Sequence, residues 1–158
     1  FSFMEFIAGA EDFTSGIGKR YIQLNKDTHI LPVICYEILY FWKLLDKTNK
    51  DSNIIINITN DFWFGKFSGP YQHFYFSKLR AAEFNKPLIR VSSNGISAYI
   101  DNYGNIIDYI KLNERSTKIL NIKIIEPRSN FQKIHKSIIF FIFFLFFVIL
   151  FLQKKHEY

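Results

Sequence analysis

Residues 30–37 read Ile30-Leu-Pro-Val-Ile-Cys-Tyr-Glu37, an apolar run that ends at the only cysteine of the chain. The run predicts a short buried strand over residues 31–34, and the apolar spacing over residues 36–46 predicts a helix after it. One cysteine cannot form an intrachain disulfide, and the run lacks the further Cys or His that a zinc site requires. Two interpretations of Cys35 stay open: a nucleophile, or a small buried hydrophobic residue.

Strands and helices continue to alternate beyond this run. We predict strands over residues 53–59 and 88–93, a helix over residues 71–85, a hairpin of residues 97–101 and 105–110, and a last strand over residues 117–125. This order is typical of a layered α/β domain with mixed sheets. Because sites collect where such strands end, Cys35, the loop of residues 60–69 and residues 92–95 should share one edge of the sheet.

A second apolar run, residues 138–152, contains no polar side chain. With lysines on both flanks that can reach the membrane interfaces, it predicts one transmembrane helix over about residues 134–153. Residues 1–128 would then form the domain, and residues 129–158 a linker, the helix and a short basic tail. A buried core helix is the alternative, but a small domain offers few apolar partners for it. Lysines at both ends leave the orientation undetermined.

The formal net charge is +6, and half of it comes from residues that flank the second apolar run. The other basic residues are scattered among acidic ones and form no nucleic-acid-binding motif, so we predict no nucleic-acid partner. The chain starts at Phe1 without an initiator methionine. We therefore expect it to be part of a longer protein.

The loop of residues 60–69 is unusually aromatic, with Phe62, Trp63, Phe64 and Phe67 close together. Such rings beside a thiol, in a chain with a membrane helix, suggest an entrance that faces lipid. The alternative is that the rings fill the core of the domain, as most aromatic side chains do.

Several short motifs occur in a characteristic order along the chain. They are Ile34-Cys-Tyr-Glu37, Asn60-Asp-Phe-Trp-Phe-Gly65, Gly69-Pro-Tyr-Gln-His73, Arg80-Ala-Ala-Glu83, Pro87-Leu-Ile-Arg90 and Asn94-Gly-Ile-Ser97. Together they closely resemble the apolipoprotein N-acyltransferase family. The resemblance implies the C-terminal part of a multi-span membrane enzyme. Its fold would be a partial nitrilase-like αββα layered domain with mixed sheets, followed by one transmembrane helix.

The resemblance also implies a reaction, a site and a location. Cys35 would be the nucleophile that takes an acyl chain from a phospholipid as a thioester and passes it to the N-terminal amine of a diacylglyceryl-cysteine lipoprotein. Tyr36 and Glu37 would support the site, and Phe62, Trp63, Phe64 and Asn60 would bind substrate. We predict no cofactor and no metal for this chain. The enzyme would lie in the bacterial inner membrane, with this domain on the outer, periplasmic face.

A nitrilase-like site of this kind also needs a general-base glutamate and a lysine, both N-terminal to the cysteine strand. Glu5, Glu11, Lys19 and Lys26 precede Cys35, but the family motifs expected around the two partners are not visible near them. We therefore predict that the chain alone is inactive, and a separately encoded N-terminal half remains a conceivable partner. Three alternatives stay open: a membrane-tethered nitrilase-like amidase, a non-catalytic remnant, and a Cys35–His73 dyad.

Overall fold

The fold is seen in a computed structural model that describes residues 20–40, 44, 51–124 and 131–156. Its centre is a six-stranded sheet in which the strands lie side by side in chain order. They are β1 (Ile22–Gln23), β2 (His29–Ile34), β3 (Ile54–Thr59), β4 (Leu88–Ser92), β5 (Ser97–Ile100) and β6 (Ile106–Ile110). The β2–β3 and β3–β4 pairs are parallel, and the other pairs are antiparallel. The predicted α/β class with a mixed sheet is confirmed.

Among the elements whose full extent the structure describes, two α-helices and two short 3₁₀ helices accompany the sheet. Helix α1 (Ser68–Phe84) connects β3 to β4, and α2 (Phe131–His156) is the last helix. The 3₁₀ helices, Cys35–Leu39 and Asp61–Phe64, follow β2 and β3 directly. Helix α1 ends at Phe84 because Asn85 adopts a left-handed conformation with φ +51°, as asparagine tolerates at a helix C-terminus.

The three central strands bury alternate residues on the face that α1 covers. Leu31, Val33, Ile55 and Leu88 belong to the core on this face, together with Phe84 of α1. Because successive side chains of a strand point to opposite faces, the residues between them line the other side of the sheet.

We call this other side the open sheet face and define it by Ile34, Ile58 and Val91. These three residues are neighbours across the register of β2, β3 and β4. Each is about half exposed, at 55%, 52% and 50%. A parallel sheet normally has both faces covered, so the described part of the chain leaves an apolar face unprotected.

Most of the predicted elements are present, with shifted ends. The hairpin forms as predicted, and Gly104 in its turn has φ +86°. Helix α1 begins at Ser68, three residues before the predicted start. Only the first residues of the helix predicted over 36–46 are described without gaps, and they form the 3₁₀ helix Cys35–Leu39. Most of its remainder lies outside the described residues, and so do residues 125–130, where the predicted linker begins.

The prediction of a strand over residues 117–125 is wrong for residues 117–124, which the structure describes. This segment has no strand partner there. Side-chain contacts hold it instead: Lys118 pairs with Asp108 of β6, and the Lys123 N–H donates to the Tyr99 hydroxyl over 3.3 Å. Ile119 is 98% exposed, so this apolar residue of the predicted strand is not buried in the core.

A helix does cover the residues predicted to span the membrane. Helix α2 carries exposed apolar side chains, including Phe140, Phe144 and Phe147. In the parts of the chain that are described, however, no helix is both long and apolar enough to cross a membrane. The transmembrane prediction is therefore not confirmed.

Candidate active site

Cys35 occupies a sharp turn at the carboxyl end of β2. It is the first residue of a 3₁₀ helix and has φ +48°, a left-handed conformation that side-chain-bearing residues rarely adopt. Such backbone strain clusters at functional sites because the surrounding structure has to enforce it. The cysteine is partly exposed, so the thiol is not simply a core side chain.

Glu37 fixes the backbone on the strand side of this turn. Its Oε2 atom accepts a hydrogen bond of 2.8 Å from the Ile34 N–H and also pairs with Nη2 of Arg20. The carboxylate is therefore engaged by the turn and by Arg20. Glu37 thus holds the backbone next to Cys35. Its supporting role in the reaction stays a prediction.

Tyr36 turns its ring toward the loop after β3. Its ring centroid lies 6.1 Å from that of Phe64 and 5.8 Å from that of His73. The Phe64 and His73 rings are themselves 4.9 Å apart. These contacts tie the cysteine turn to the aromatic loop and to α1. The supporting role of Tyr36 in the site stays a prediction.

The side-chain partner of the Cys35 sulfur among the described contacts is Thr59, the last residue of β3. The Thr59 Oγ1 atom lies 3.5 Å from Cys35 Sγ and 3.2 Å from Asp61 Oδ1. Cys35 and His73 are therefore not joined directly in the structure. Thr59 and Asp61 stand between them.

Asp61 is the centre of a buried charged cluster. Its Oδ2 atom accepts a hydrogen bond of 2.6 Å from Arg90 Nη2, and its Oδ1 atom lies 2.8 Å from His73 Nδ1. Since an ionised carboxylate can only accept, Nδ1 of His73 carries the proton in this contact. The Nε2 atom of His73 is buried and has no hydrogen-bond partner among the described residues.

The charge of Asp61 is maintained by this cluster. Burial alone would raise the pKa of Asp61, but the hydrogen bonds from His73 and Arg90 and the positive charge of Arg90 hold it below its usual value. Burial lowers the pKa of Arg90, while the charges of Asp61 and Cys35 act in the opposite direction. The guanidinium thus interacts electrostatically with both the carboxylate and the cysteine sulfur.

Asn57 connects the same cluster to the backbone of the cysteine turn. Its Oδ1 atom accepts from Arg90 Nη1 over 2.7 Å, and its amide donates to the carbonyls of Val33 (3.0 Å) and Cys35 (3.4 Å). Arg90 Nη1 also donates to Ser77 of α1 over 3.1 Å. Three strands and the helix are thereby cross-linked beneath Cys35.

Gly95 packs directly on this cluster. A Cβ atom added there would lie 1.9 Å from Asp61 Oδ2 and 2.5 Å from Ser92 Oγ. Only a residue without a side chain fits against the carboxylate, which explains the glycine after β4.

The aromatic loop exposes most of its rings. Phe62, Trp63 and Phe67 are 77%, 84% and 88% exposed, whereas Phe64 packs against Tyr36 and His73. Phe64 is partly buried by these ring contacts, and the interpretation that the loop rings fill the core fails for the other three. An exposed apolar patch of this kind typically marks an interaction surface.

Asn60 holds the start of this loop. Its Oδ1 atom accepts from the Phe62 N–H over 3.1 Å and from the Ser93 hydroxyl over 2.8 Å. The Asn60 oxygen thus has a structural use in joining the loops after β3 and β4. Its predicted part in substrate binding stays a prediction.

One cavity near this edge does not include the thiol among its lining residues. A cavity of about 600 Å³ lies between strands β4–β6 and residues 113–118, with Ile89, Val91 and Tyr99 among its lining residues. Among the residues that the structure describes, no group of His, Cys, Asp and Glu side chains could hold a metal ion.

Sequence reasoning brought Cys35, residues 60–69 and residues 92–95 to one edge, and the structure places them there. It missed the buried Asp61–Arg90 pair and the part played by Thr59. The available signal was polar residues inside apolar strands: Asn57 stands among isoleucines and Arg90 follows Leu88 and Ile89. Charged residues are almost never fully buried unless they are paired.

Comparison with known proteins bears on the family and the fold. A sequence profile described as carbon-nitrogen hydrolase matches residues 6–126. Among solved structures, Saccharomyces cerevisiae Nit3, a member of branch 10 of the nitrilase superfamily, is similar with a TM-score of 0.50 and 18% identity, over 65% of this chain and 40% of that one. This likeness shows a nitrilase-like fold.

Curated relatives carry the name apolipoprotein N-acyltransferase. The protein from Rickettsia bellii (strain RML369-C) is 45% identical over 106 residues, which are 67% of this chain and 21% of that protein. The protein from Rickettsia typhi is 44% identical over 112 residues, 71% of this chain and 22% of that protein. The chain thus spans about a fifth of the length of these relatives. With the profile covering more than half of its residues, the chain belongs to the carbon-nitrogen hydrolase family.

Proposed function

We propose that this chain is the nucleophile-bearing part of an N-acyltransferase that moves an acyl chain from a phospholipid to a lipoprotein. The observation that carries the proposal is Cys35, a partly exposed cysteine with φ +48° at the carboxyl end of a central strand. The curated relatives named apolipoprotein N-acyltransferase supply the substrate classes.

In the first half-reaction the Cys35 thiolate attacks the ester carbonyl of a phospholipid. A carbon–sulfur bond forms, the ester carbon–oxygen bond breaks, and the lysophospholipid alkoxide leaves and takes up a proton. In the second half-reaction the N-terminal amine of the diacylglyceryl-cysteine attacks the thioester, loses a proton and expels the thiolate. A thioester suits this sequence because it divides one difficult displacement into two easier ones.

The aromatic loop is the proposed entrance for the acyl chain. Phe62 and Trp63 are exposed, and Phe64 connects them to Tyr36 beside the nucleophile. We also propose that the protein works at the bacterial inner membrane with this domain on the periplasmic side. The exposed apolar side chains of α2 and of the loop support an association with lipid.

We further propose that additional polypeptide completes the site. A nitrilase-like triad needs a glutamate base and a lysine, and the sulfur's described side-chain partner is instead a threonine hydroxyl. The open sheet face offers an apolar surface on which another layer could pack, as expected for one half of an αββα arrangement. On its own, the 158-residue chain would be inactive.

Mass spectrometry of the full chain, after incubation with phospholipid in detergent, tests the proposal. We expect a hydroxylamine-sensitive acyl adduct on Cys35 when the N-terminal four-fifths of the Rickettsia bellii relative is supplied, and none with Cys35→Ala. Because the chain has one cysteine, the adduct is unambiguous. An adduct on the chain alone would contradict the proposed inactivity.

Absence of an adduct both with and without the supplied relative would favour a non-catalytic remnant.

Membership of the carbon-nitrogen hydrolase family keeps an amidase as the second candidate function. In that case water would replace the lipoprotein amine, so small amides would be cleaved to acid and ammonia. Product analysis with a diacylglyceryl-cysteine peptide separates the two, since only the acyltransferase yields a triacylated peptide.

A further inference from the structure

Thr59 occupies the position between the cysteine and the buried charges. Its side chain is 7% exposed at the end of β3, and its hydroxyl oxygen lies within hydrogen-bond distance of both Cys35 Sγ (3.5 Å) and Asp61 Oδ1 (3.2 Å). The sequence motifs did not single it out. The chemistry of the site described above gives it no part.

A hydroxyl group has one proton to donate and two lone pairs that accept. Asp61 can only accept while it is ionised, so with a thiol present Thr59 donates to Asp61 and accepts from the Cys35 S–H. Once the thiol proton has left to solvent or to a base, the sulfur becomes the acceptor that lacks a donor. Asp61 can give up the hydrogen bond from the Thr59 hydroxyl at this point, because Arg90 and His73 still donate hydrogen bonds to the carboxylate.

We propose that Thr59 is a positioning residue for Cys35, whose hydroxyl accepts from the thiol and turns to donate to the thiolate. This role rests on the proposed function, in which Cys35 is the nucleophile. The hydroxyl would hold the sulfur in one place in both states and favour the charged state, since hydrogen bonds to charged groups are about twice as strong as neutral ones.

The surrounding cluster holds the groups on both sides of the Thr59 hydroxyl in place. Asp61 cannot move away from the hydroxyl, because Arg90 binds its far oxygen and Gly95 packs against it without space for a methyl group. Asn57 fixes the backbone carbonyl of Cys35 from the same strand as Thr59. The Asp61 carboxylate and the Cys35 backbone, on the two sides of the Thr59 hydroxyl, are thus held in place by different contacts.

The test measures the rate at which iodoacetamide alkylates Cys35 in the full chain between pH 6 and pH 10. The thiolate displaces iodide, so the rate follows the thiolate population. Loss of one hydroxyl donor to a charged group should decrease that population by about tenfold at neutral pH. We therefore expect Thr59→Val to react about tenfold more slowly at pH 7, with the midpoint of the rate profile at higher pH.

Thr59→Ser retains the hydroxyl and should react like the unsubstituted chain, and Thr117→Val is the matched control for a threonine remote from the sulfur. If Thr59→Val fails to fold by circular dichroism, Thr59→Ala removes the same hydroxyl in a smaller side chain. Equal rates for all variants would overturn the proposal, as would equal slowing in Thr59→Ser and the hydroxyl-free variants.

Alkylation does not depend on acyl transfer, so the two proposals fail separately. A Thr59 effect on alkylation, with no acyl adduct even when the N-terminal part of the relative is supplied, would refute the proposed function alone. An acyl adduct with no Thr59 effect would refute the inference alone.

Discussion

Arg90 Nη2 donates a hydrogen bond of 2.6 Å to Asp61 Oδ2, and neither side chain has any surface exposed to solvent. The two residues come from different segments, the loop after β3 and the middle of β4. Their contact joins these segments below Cys35 and gives the sheet edge its only described fully buried ion pair. The fold and the proposed site therefore depend on the same contact.

Removing the arginine should destabilise the fold strongly. In Arg90→Met, Asp61 would keep a buried charge without its cation, and Asn57 would lose a donor. Breaking one side of a buried pair typically costs about 3–5 kcal/mol. Urea denaturation in mild detergent measures this loss. The exposed Arg115→Met is the control and should change the free energy of unfolding by less than about 0.5 kcal/mol. A loss below about 1 kcal/mol for Arg90→Met would contradict the structure.

The glycine beside Asp61 leads to a second prediction. Gly95→Ala should cost about 3 kcal/mol, because its new methyl group must displace the carboxylate. Gly65→Ala should cost about 1–2 kcal/mol for a different reason: Gly65 has φ +69° and open space around it, so the cost is conformational only. Combining each with Asp61→Ala separates the two causes. The Gly95 cost should shrink in the double variant, and an unchanged cost would refute the steric explanation.

Lys86 predicts an unusual dependence of stability on pH. It is 2% exposed and donates to Ser52 Oγ over 2.8 Å. Burial lowers the pKa of Lys86 from 10.5 to about 8, against the opposing effect of Asp51. Between these two pH values the unfolded chain binds more protons than the folded one, so the free energy of unfolding should rise with pH, by as much as about 3 kcal/mol.

Lys86→Met isolates this contribution. The variant should gain stability relative to the unsubstituted chain at pH 7, and the gain should diminish as the pH rises from 8 to 10.5. Urea denaturation at several pH values, with a reductant present, measures the difference. The exposed Lys111→Met serves as the matched control and should show no such trend. A difference that is independent of pH would show that Lys86 does not titrate in this range.

The aromatic loop allows a matched comparison of neighbouring residues. Trp63→Ser should leave the free energy of unfolding within about 0.5 kcal/mol, because the ring is 84% exposed. Phe64→Ser should cost about 2–3 kcal/mol, since its ring packs against Tyr36 and His73. Under the proposed function, Trp63→Ser should also weaken sedimentation with phospholipid vesicles. Equal stability losses in the two variants would contradict the described arrangement of the loop.

The local pattern of the sequence was sufficient for the main strands. Residues 31–34 and 53–59 are short apolar runs, and their β-branched residues form β2 and β3 within one or two residues of the prediction. The local pattern was insufficient where a segment becomes a strand only by pairing with another strand. Strand β1 has only two residues and was not predicted. Residues 117–124 have alternating apolar residues but no strand partner; the segment is held by the Lys118 side chain on Asp108 and by the Lys123 backbone N–H on the Tyr99 hydroxyl.

The site shows the same division. The position of Cys35 at a strand end followed from local sequence, and its neighbours at the sheet edge followed from the order of the strands. The partners of Arg90 did not. Arg80 and Glu83, which lie closer to Arg90 along the chain, pair with each other at 2.7 Å. Arg90 reaches across 29 residues to Asp61, a distance at which spacing carries no information.

The order of the strands has a consequence for how the chain folds. Because β1 to β6 lie side by side in the order in which they are synthesised, each new strand can add to an edge that the preceding strand has just formed. Among the six described strands, none has to be inserted between two strands that are already paired. Sheet assembly can therefore keep pace with translation, and loop closure involves at most one crossover at a time. Arg90 on β4 would then complete the cluster, because Asn57, Asp61 and His73 have all emerged before it.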